Sequence, residues 1–435
     1  MKNLFCEHIH PSHTLTFALI RHQAMIRPAW DTRPTSWQND FRGDICPVSR
    51  RQALAAAAIG CFPTRRLHAA TLDQGTLDDL LQPSRIYAVT VDSARKASPS
   101  FNRMSAESLI RAVQSKRAIF LGEHHPDLRD HLLQAALLRR LLTIRRPLAV
   151  GLEAVQRQFQ PVLKDYIAGR IDEKQLFAQT DWERRWYWSF EAYAPIFRIC
   201  REFGVDLVAL DADSEDKAKV ELGGLAAIEQ SKLLEYIPDV NGFERFGSTR
   251  AFDEYVSYTL RPPFALMERV GMKMTASTDL ERAMSFENFL ARQSLRDEAM
   301  ASASAAWLAQ HPDGLLLGLV GTNHAKFACG VPARTARMLS GELDAVASIL
   351  LNPTPASTFV DPSNLRVCDQ TVVANEACVR NDIEVQNYVL QVPYAATRSR
   401  VQRGVDVEEA ATAMQAKRGS SFLRLSDYVI FSPDD

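Results

Sequence analysis

Residues 118–125 read Ala-Ile-Phe-Leu-Gly-Glu-His-His: a short apolar run, a glycine, and then three side chains able to bind a ligand. The run is too short for a helix and reads as a buried strand. Leu128 to Leu142 then places apolar residues at helical spacing, with polar Gln134, Arg139 and Arg140 between them, as an amphipathic helix does. The alternation continues along the chain. Pro147 to Glu153 is a second buried strand, Tyr193 to Phe203 a helix that stops at Gly204, and Val205 to Leu210 a third strand. A helix-rich stretch follows from Glu215 to Ala309, interrupted at Pro238, Asn241-Gly242 and Pro262-Pro263. Leu315 to Val320 is a fourth strand, and Ala347–Leu351, Asn387–Val392 and Tyr428–Phe431 add others. The expected fold is α/β: a largely parallel central sheet flanked by helices, with a helical insertion between the third and fourth strands.

Composition narrows the function classes. The chain has 435 residues, with 51 basic and 52 acidic side chains, so it offers no excess of positive charge for a nucleic acid. No stretch reaches the roughly 20 apolar residues that span a bilayer, so the mature protein is not expected to be transmembrane. The seven cysteines include no CxxC pair, which removes the usual zinc-knuckle and thioredoxin-like patterns.

The chemistry gathers where strands end. The first runs into Glu123-His124-His125, the second ends at Glu153, the third at Asp211 and Asp213, and the fourth runs into Gly321-Thr322-Asn323-His324. In a parallel sheet the loops beyond the carboxyl ends converge, and ligands bind there. Two imidazoles and a carboxylate form a common first shell for a divalent transition metal, so His125, Glu153 and His324 are the candidate metal ligands. Glu123 and Asp297 are the candidate catalytic carboxylates, orienting or deprotonating a water. Asp297 shares a helical stripe with Met300, Ala301, Ser304 and Leu308 and is expected to face inward, with Glu298 facing water. His131 follows closely enough to support the site, and His124 adds an imidazole. The segment Asp181-Trp182-Glu183-Arg184-Arg185-Trp186-Tyr187-Trp188-Ser189-Phe190 mixes rings and guanidiniums. Packing against the sheet accounts for most of such rings. A flat macrocycle with carboxylate tails would want the same mixture, which makes Arg185 and Trp186 candidate cofactor contacts with His124 and His131.

Taken in order, Gly122-Glu123-His124-His125 with His131, Gly151-Leu152-Glu153, Arg296-Asp297 with Met300-Ala301, and Gly321-Thr322-Asn323-His324 through Gly330-Val331-Pro332 resemble the haem-binding ChaN-like domain of the Tiki superfamily. Its paired G-x-x-H motifs correspond to Gly122/His125 and Gly321/His324, with Glu153 as the intervening glutamate. The resemblance runs from about Ser105 to Phe431, where Asp427-Tyr428-Val429-Ile430-Phe431 fits the last strand. It implies a haem- or iron-binding protein similar to those of haem and iron uptake. It implies as its alternative a metal-dependent hydrolase, protease- or esterase-like. The cofactor is then haem or a divalent transition metal (manganese, zinc, cobalt or iron), and the partners are haem, a metal ion or a small-molecule or peptide ligand. A homodimer is left open. His124 departs from the small polar residue usual at that position.

The first 70 residues read as an address. Ser49-Arg50-Arg51-Gln52-Ala53-Leu54 opens an Ala-rich apolar run to Phe62, and small residues close the segment at His68-Ala69-Ala70. Twin arginines, a short apolar stretch and a small-residue exit suit export through a twin-arginine route, and Arg65 and Arg66 disfavour the Sec route. Nearly fifty residues precede the pair, so residues 1–70 are expected to combine an organelle transit peptide with a lumenal signal, as in the thylakoid lumen of a chloroplast. Residues 71–104 read as a linker with one short strand at Ile86–Val91, and 105–435 as the α/β domain. Cleavage would leave Cys200, Cys329, Cys368 and Cys378, of which the last two could pair in an oxidising lumen.

Overall fold

The computed structural model describes residues 80–90, 100–125, 127–261, 264, 284–339, 343–353 and 425–433. The expected strand at 387–392, Pro262-Pro263, the expected targeting segment 1–70 and the pair Cys368 and Cys378 lie outside them. In chain order the main elements are β1 (Arg85–Thr90), β2 (Ser100–Met104), α1 (Ala106–Val113), β3 (Ala118–Glu123), α2 (Leu128–Leu141) and β4 (Leu148–Gln156). Next come α3 (Phe190–Phe203), β5 (Asp206–Asp211), α4 (Ser214–Gly223), α5 (Phe286–Gln310), β6 (Leu315–Gly321), α6 (Thr322–Ala325), α7 (Val331–Met338), β7 (Val346–Leu351) and β8 (Tyr428–Phe431). Shorter helical segments lie between them.

The eight strands form one sheet in the order β2-β1-β8-β7-β3-β6-β4-β5. From β8 to β5 every neighbouring pair is parallel, while β1 runs antiparallel to both β8 and β2. Strands buried on both faces read as continuous apolar runs because successive side chains enter different cores. In β3, Ile119 and Leu121 join one core with Leu133 and Leu137 of α2 and Phe197 of α3. Ala118 and Phe120 join the other with Met300 and Ala301 of α5 and Val331 of α7.

Three expectations are corrected here. Within residues 71–104, read as a linker with one short strand at Ile86–Val91, Arg85–Thr90 and Ser100–Met104 supply two strands of the sheet, because β1 pairs with β8 at the far end of the chain and carries β2 beside it. That partner is invisible to any local reading. Asn241-Gly242 does not interrupt a helix but lies in the first turn of the one at Val240–Gly247, where the Asp239 side chain accepts the Gly242 N–H at 2.8 Å. Glu298 does not face water. Every residue from Ser294 to Ser302 is buried, and Glu298 is ion-paired with Arg334 at 2.8 Å and with Arg337 of α7. Helix α5 is covered on several sides, so it has no solvent face at that level.

Candidate functional site

Strand order builds the site. Because β6 lies between β3 and β4, Gly321 at its end stands level with Glu123 of β3, and Leu319 stands level with Leu152, the residue before Glu153. A Cβ on Gly321 would lie 3.4 Å from His125 Nε2, 3.5 Å from Glu153 Oε2 and 3.8 Å from His324 Cδ2. The glycine therefore leaves open a small space bordered by all three residues. His324 reaches it from α6, whose turn is tightly fixed: a Cβ on Gly330 would fall 2.1 Å from the His324 carbonyl oxygen.

The positive charge among these groups is Arg296 of α5. Its Nη2 donates to Glu153 Oε1 at 2.6 Å and to Asp211 Oδ2 at 3.0 Å, its Nε donates to Asp211 Oδ1 at 3.0 Å, and its Nη1 lies 3.1 Å from His324 Nε2. The Gly321 N–H donates to the other Glu153 oxygen at 2.5 Å, and Lys217 Nζ donates to Asp211 at 2.6 Å. Asp297 Oδ1 lies 2.5 Å from His324 Nδ1. Burial pushes the Glu153 carboxyl up, but His324, Arg296 and His125 outweigh it and hold it at about 2. At His324 burial favours the neutral ring, yet the Glu153 and Asp297 carboxylates prevail and raise its pKa.

Glu123 is the second hub. It accepts from the Tyr193 hydroxyl at 2.6 Å and from Gln134 Nε2 at 2.5 Å, and it lies 3.3 Å from His125 Nδ1 and 3.4 Å from His131 Nδ1. His131 is buried, bonded to Gln134 at 2.9 Å and packed on Tyr193, behind Glu123. Burial lowers the His125 pKa, with Glu123 and Glu153 opposing in part, so this imidazole is neutral at pH 7. Its ring meets Trp186 edge-on at 5.1 Å and stacks on Trp188 at 5.4 Å between ring centres. Tyr187 between them is 90% exposed.

The remaining candidates sit further out. His124 holds Asp130 through its backbone N–H at 2.7 Å, with its ring 3.3 Å away. Arg185 pairs with Glu215 at 2.8 Å, Gln156 at 2.9 Å and Asp181 at 3.3 Å, and among the described residues it makes no contact with the His125, Glu153 and His324 group.

Arg296, Tyr193, Gln134 and Trp188 are the site residues that sequence reasoning left without a role. For Arg296 there was a signal: three buried strand-end acids, Glu123, Glu153 and Asp211, need a counter-charge that the strand-end loops lack. A bare divalent ion does not suit the donors as they stand. Both Glu153 oxygens and His324 Nδ1 are engaged, and a fixed guanidinium already stands at Glu153 Oε1 and His324 Nε2. Among the described residues no group of three His, Cys, Asp or Glu side chains is disposed to hold a metal ion.

The family model described as haem-binding uptake, Tiki superfamily, ChaN matches residues 109–335, more than half of the chain. The chain belongs to this family. Its fold is the ChaN-like α/β sheet described above, and the matched residues include Glu123, His125, Glu153, Arg296, Asp297 and His324. Among curated proteins, the chloroplastic protein RETICULATA-RELATED 5 of Arabidopsis thaliana is 24% identical over 313 residues, which cover 66% of this chain and 39% of that protein. This ChaN-family chain thus spans well under half the length of that relative. Among solved structures, ChaN of Campylobacter jejuni, described with cofacially bound haem, is 12% identical and matches 80% of this chain and 98% of its own at a TM-score of 0.41. An erythromycin esterase, EreC, in its open conformation is 18% identical and matches 57% of this chain and 72% of its own at a TM-score of 0.30.

Proposed function

We propose that this protein binds haem against the aromatic wall beside His125. The observation that carries the reading is the consecutive set Trp186-Tyr187-Trp188. Two half-buried indoles clasp the His125 ring while Tyr187 is left almost wholly in solvent. Exposing a large ring has no packing benefit, whereas a flat apolar macrocycle would cover it, and a phenol oxygen is one of the donors that can hold haem iron. Membership of a family described by haem-binding uptake supports the same ligand. Trp186, Trp188 and His125 would line the face and Tyr187 would offer the outward oxygen. His124, held on Asp130, would act from further out, and His131 from behind through Glu123. Bound haem would supply iron chemistry; the chain supplies the platform and excludes water from one side of it.

The neutral His125 favours a second reading, hydrolysis without a metal step. Glu123 lies at its Nδ1, and its Nε2 borders the space at Gly321, where it could take a proton from water. Arg296 and His324 would stabilise developing negative charge nearby.

Haemin titration separates the two. The wild type is expected to give a saturable Soret shift at about one to two equivalents, as for a specific pocket. A Trp186→Ala, Trp188→Ala double variant is expected to lose the shift while keeping its far-ultraviolet circular dichroism. If the double variant and an unrelated protein give the same shift as the wild type, haem binding fails. Ester hydrolysis that disappears in His125→Ala would then establish the second reading.

A further inference from the structure

The strands' amino ends carry a different feature. The last turn of α2, the turn that follows it, and the C-terminus of α3 enclose a groove of about 910 Å³. It opens at Leu148, where β4 begins, so about 16 Å of strand separates it from Glu153. Arg139, Arg140, Arg145 and Arg146 line it with Phe203, and no acidic residue does so. In a chain with 51 basic and 52 acidic side chains, this is a marked local excess of positive charge.

The simplest account covers only part of it. Arg139 and Arg140 lie in the last turn of α2, where cations offset the helix dipole. Arg140 also faces Glu107 at 4.0 Å. Arg145 lies beyond the helix and is exposed, and neither reason applies to it.

Arg146 is held in place by backbone alone. Its guanidinium donates to the carbonyls of Gln114 at 2.5 Å, Lys116 at 3.0 Å, Asp313 at 2.7 Å and Gly314 at 2.9 Å. Four of its five N–H groups are thereby used, and the charge is fixed without a carboxylate at ion-pair distance among the described residues. Arg117, bonded to the carbonyls of Leu308, His311 and the same Gly314, adds a second guanidinium beside it. Burial, and then the Arg117 charge, lower the Arg146 pKa, with Asp313 opposing. Phe203, 49% exposed with Arg139 over its ring at 5.8 Å, gives the groove an apolar flank.

We propose that this groove binds a phosphate- or sulfate-bearing anion. Planar guanidiniums match such oxyanions in charge and in geometry. Arg145 would grasp the anion at the rim, Arg146 would set the potential at the floor, and Phe203 would meet an apolar substituent. The anion is either a free phosphorylated compound or the headgroup of an anionic lipid. The site is independent of the haem reading.

The test uses the full chain with two probes: inorganic pyrophosphate, and vesicles of phosphatidylcholine with or without phosphatidylglycerol. Arg145→Glu, on an exposed side chain, is expected to weaken binding at least about tenfold, the effect of losing one charged hydrogen bond and adding repulsion. Arg170→Glu, a reversal at another exposed arginine that does not line the groove, is expected to leave it unchanged. Pyrophosphate binding without vesicle capture assigns a free anion, and capture by phosphatidylglycerol vesicles alone assigns a headgroup. The proposal is overturned if the wild type binds neither probe, or if both reversals weaken binding equally.

Discussion

Glu153 shows how much of a residue's behaviour is set by neighbours that the chain brings from afar. Its own strand supplies only burial, which opposes ionisation. Arg296 comes from α5 and His324 from α6, and together with His125 they reverse that tendency and bring the pKa from 4.5 to about 2. A carboxyl that holds its proton less tightly folded than unfolded stabilises the fold fully above the unfolded value and loses that contribution as pH falls through the folded one. Between pH 4.5 and 2 the protein is therefore expected to lose up to about 3 kcal/mol through this group. Asp211, which Arg296 and Lys217 also hold low against burial, adds to the same acid limb. Urea midpoints measured across that range should fall more steeply for the wild type than for Glu153→Gln. Parallel curves would mean that His324, Arg296 and His125 do not lower the carboxyl.

Helix α5 shows why one element can be read correctly as a helix and wrongly as to its faces. The phase that turns Asp297 inward turns Glu298 away by about 100°, and on a helix with one buried stripe that direction is solvent. Here α7 covers it. Arg334 is wholly buried between Glu298 and the rings of Phe243, Phe246 and Phe252, which lie 4.5 to 5.4 Å from its guanidinium carbon. Glu298→Ala would strand that charge, since removing one partner of a buried pair typically costs about 3–5 kcal/mol. A drop of that size in unfolding free energy is expected, and an unchanged urea midpoint would show that the three rings alone suffice. The arginines at positions 334 and 337, one helical turn apart, were the sequence signal for an acidic partner, but nothing local named which acid.

At the scale of the whole molecule, the destination of the chain is a separate matter from its sheet. No helix among the described residues is long and apolar enough to cross a membrane. We propose that residues 1–70 direct the chain into a chloroplast and, through Arg50 and Arg51, onward to the thylakoid lumen. A relative named as chloroplastic supports the first step. Replacing both arginines by Lys is expected to leave an uncleaved intermediate outside the lumen in an import assay with isolated chloroplasts. A mature N-terminus upstream of Arg50 would rule the twin-arginine step out.

Periodicity alone was enough for the strands β3 to β7, for α2, α3 and the helix-rich stretch before β6, and for the clustering of ligand-capable residues after the strand ends. Those are local properties: apolar runs of strand length, helical spacing and a glycine such as Gly204 can all be read within a few residues. The ordered G-x-x-H motifs likewise carried the family. Strand order was not local, and it placed β6 between β3 and β4, so that Gly321 opens a space among His125, Glu153 and His324. Nor was the pairing of β1 with β8, which turned an expected linker into sheet. Only tertiary structure placed the Arg296 guanidinium between Glu153 and Asp211. Compensation of a buried charge depends on distance in space, and Glu153 and Arg296 are 143 residues apart along the chain.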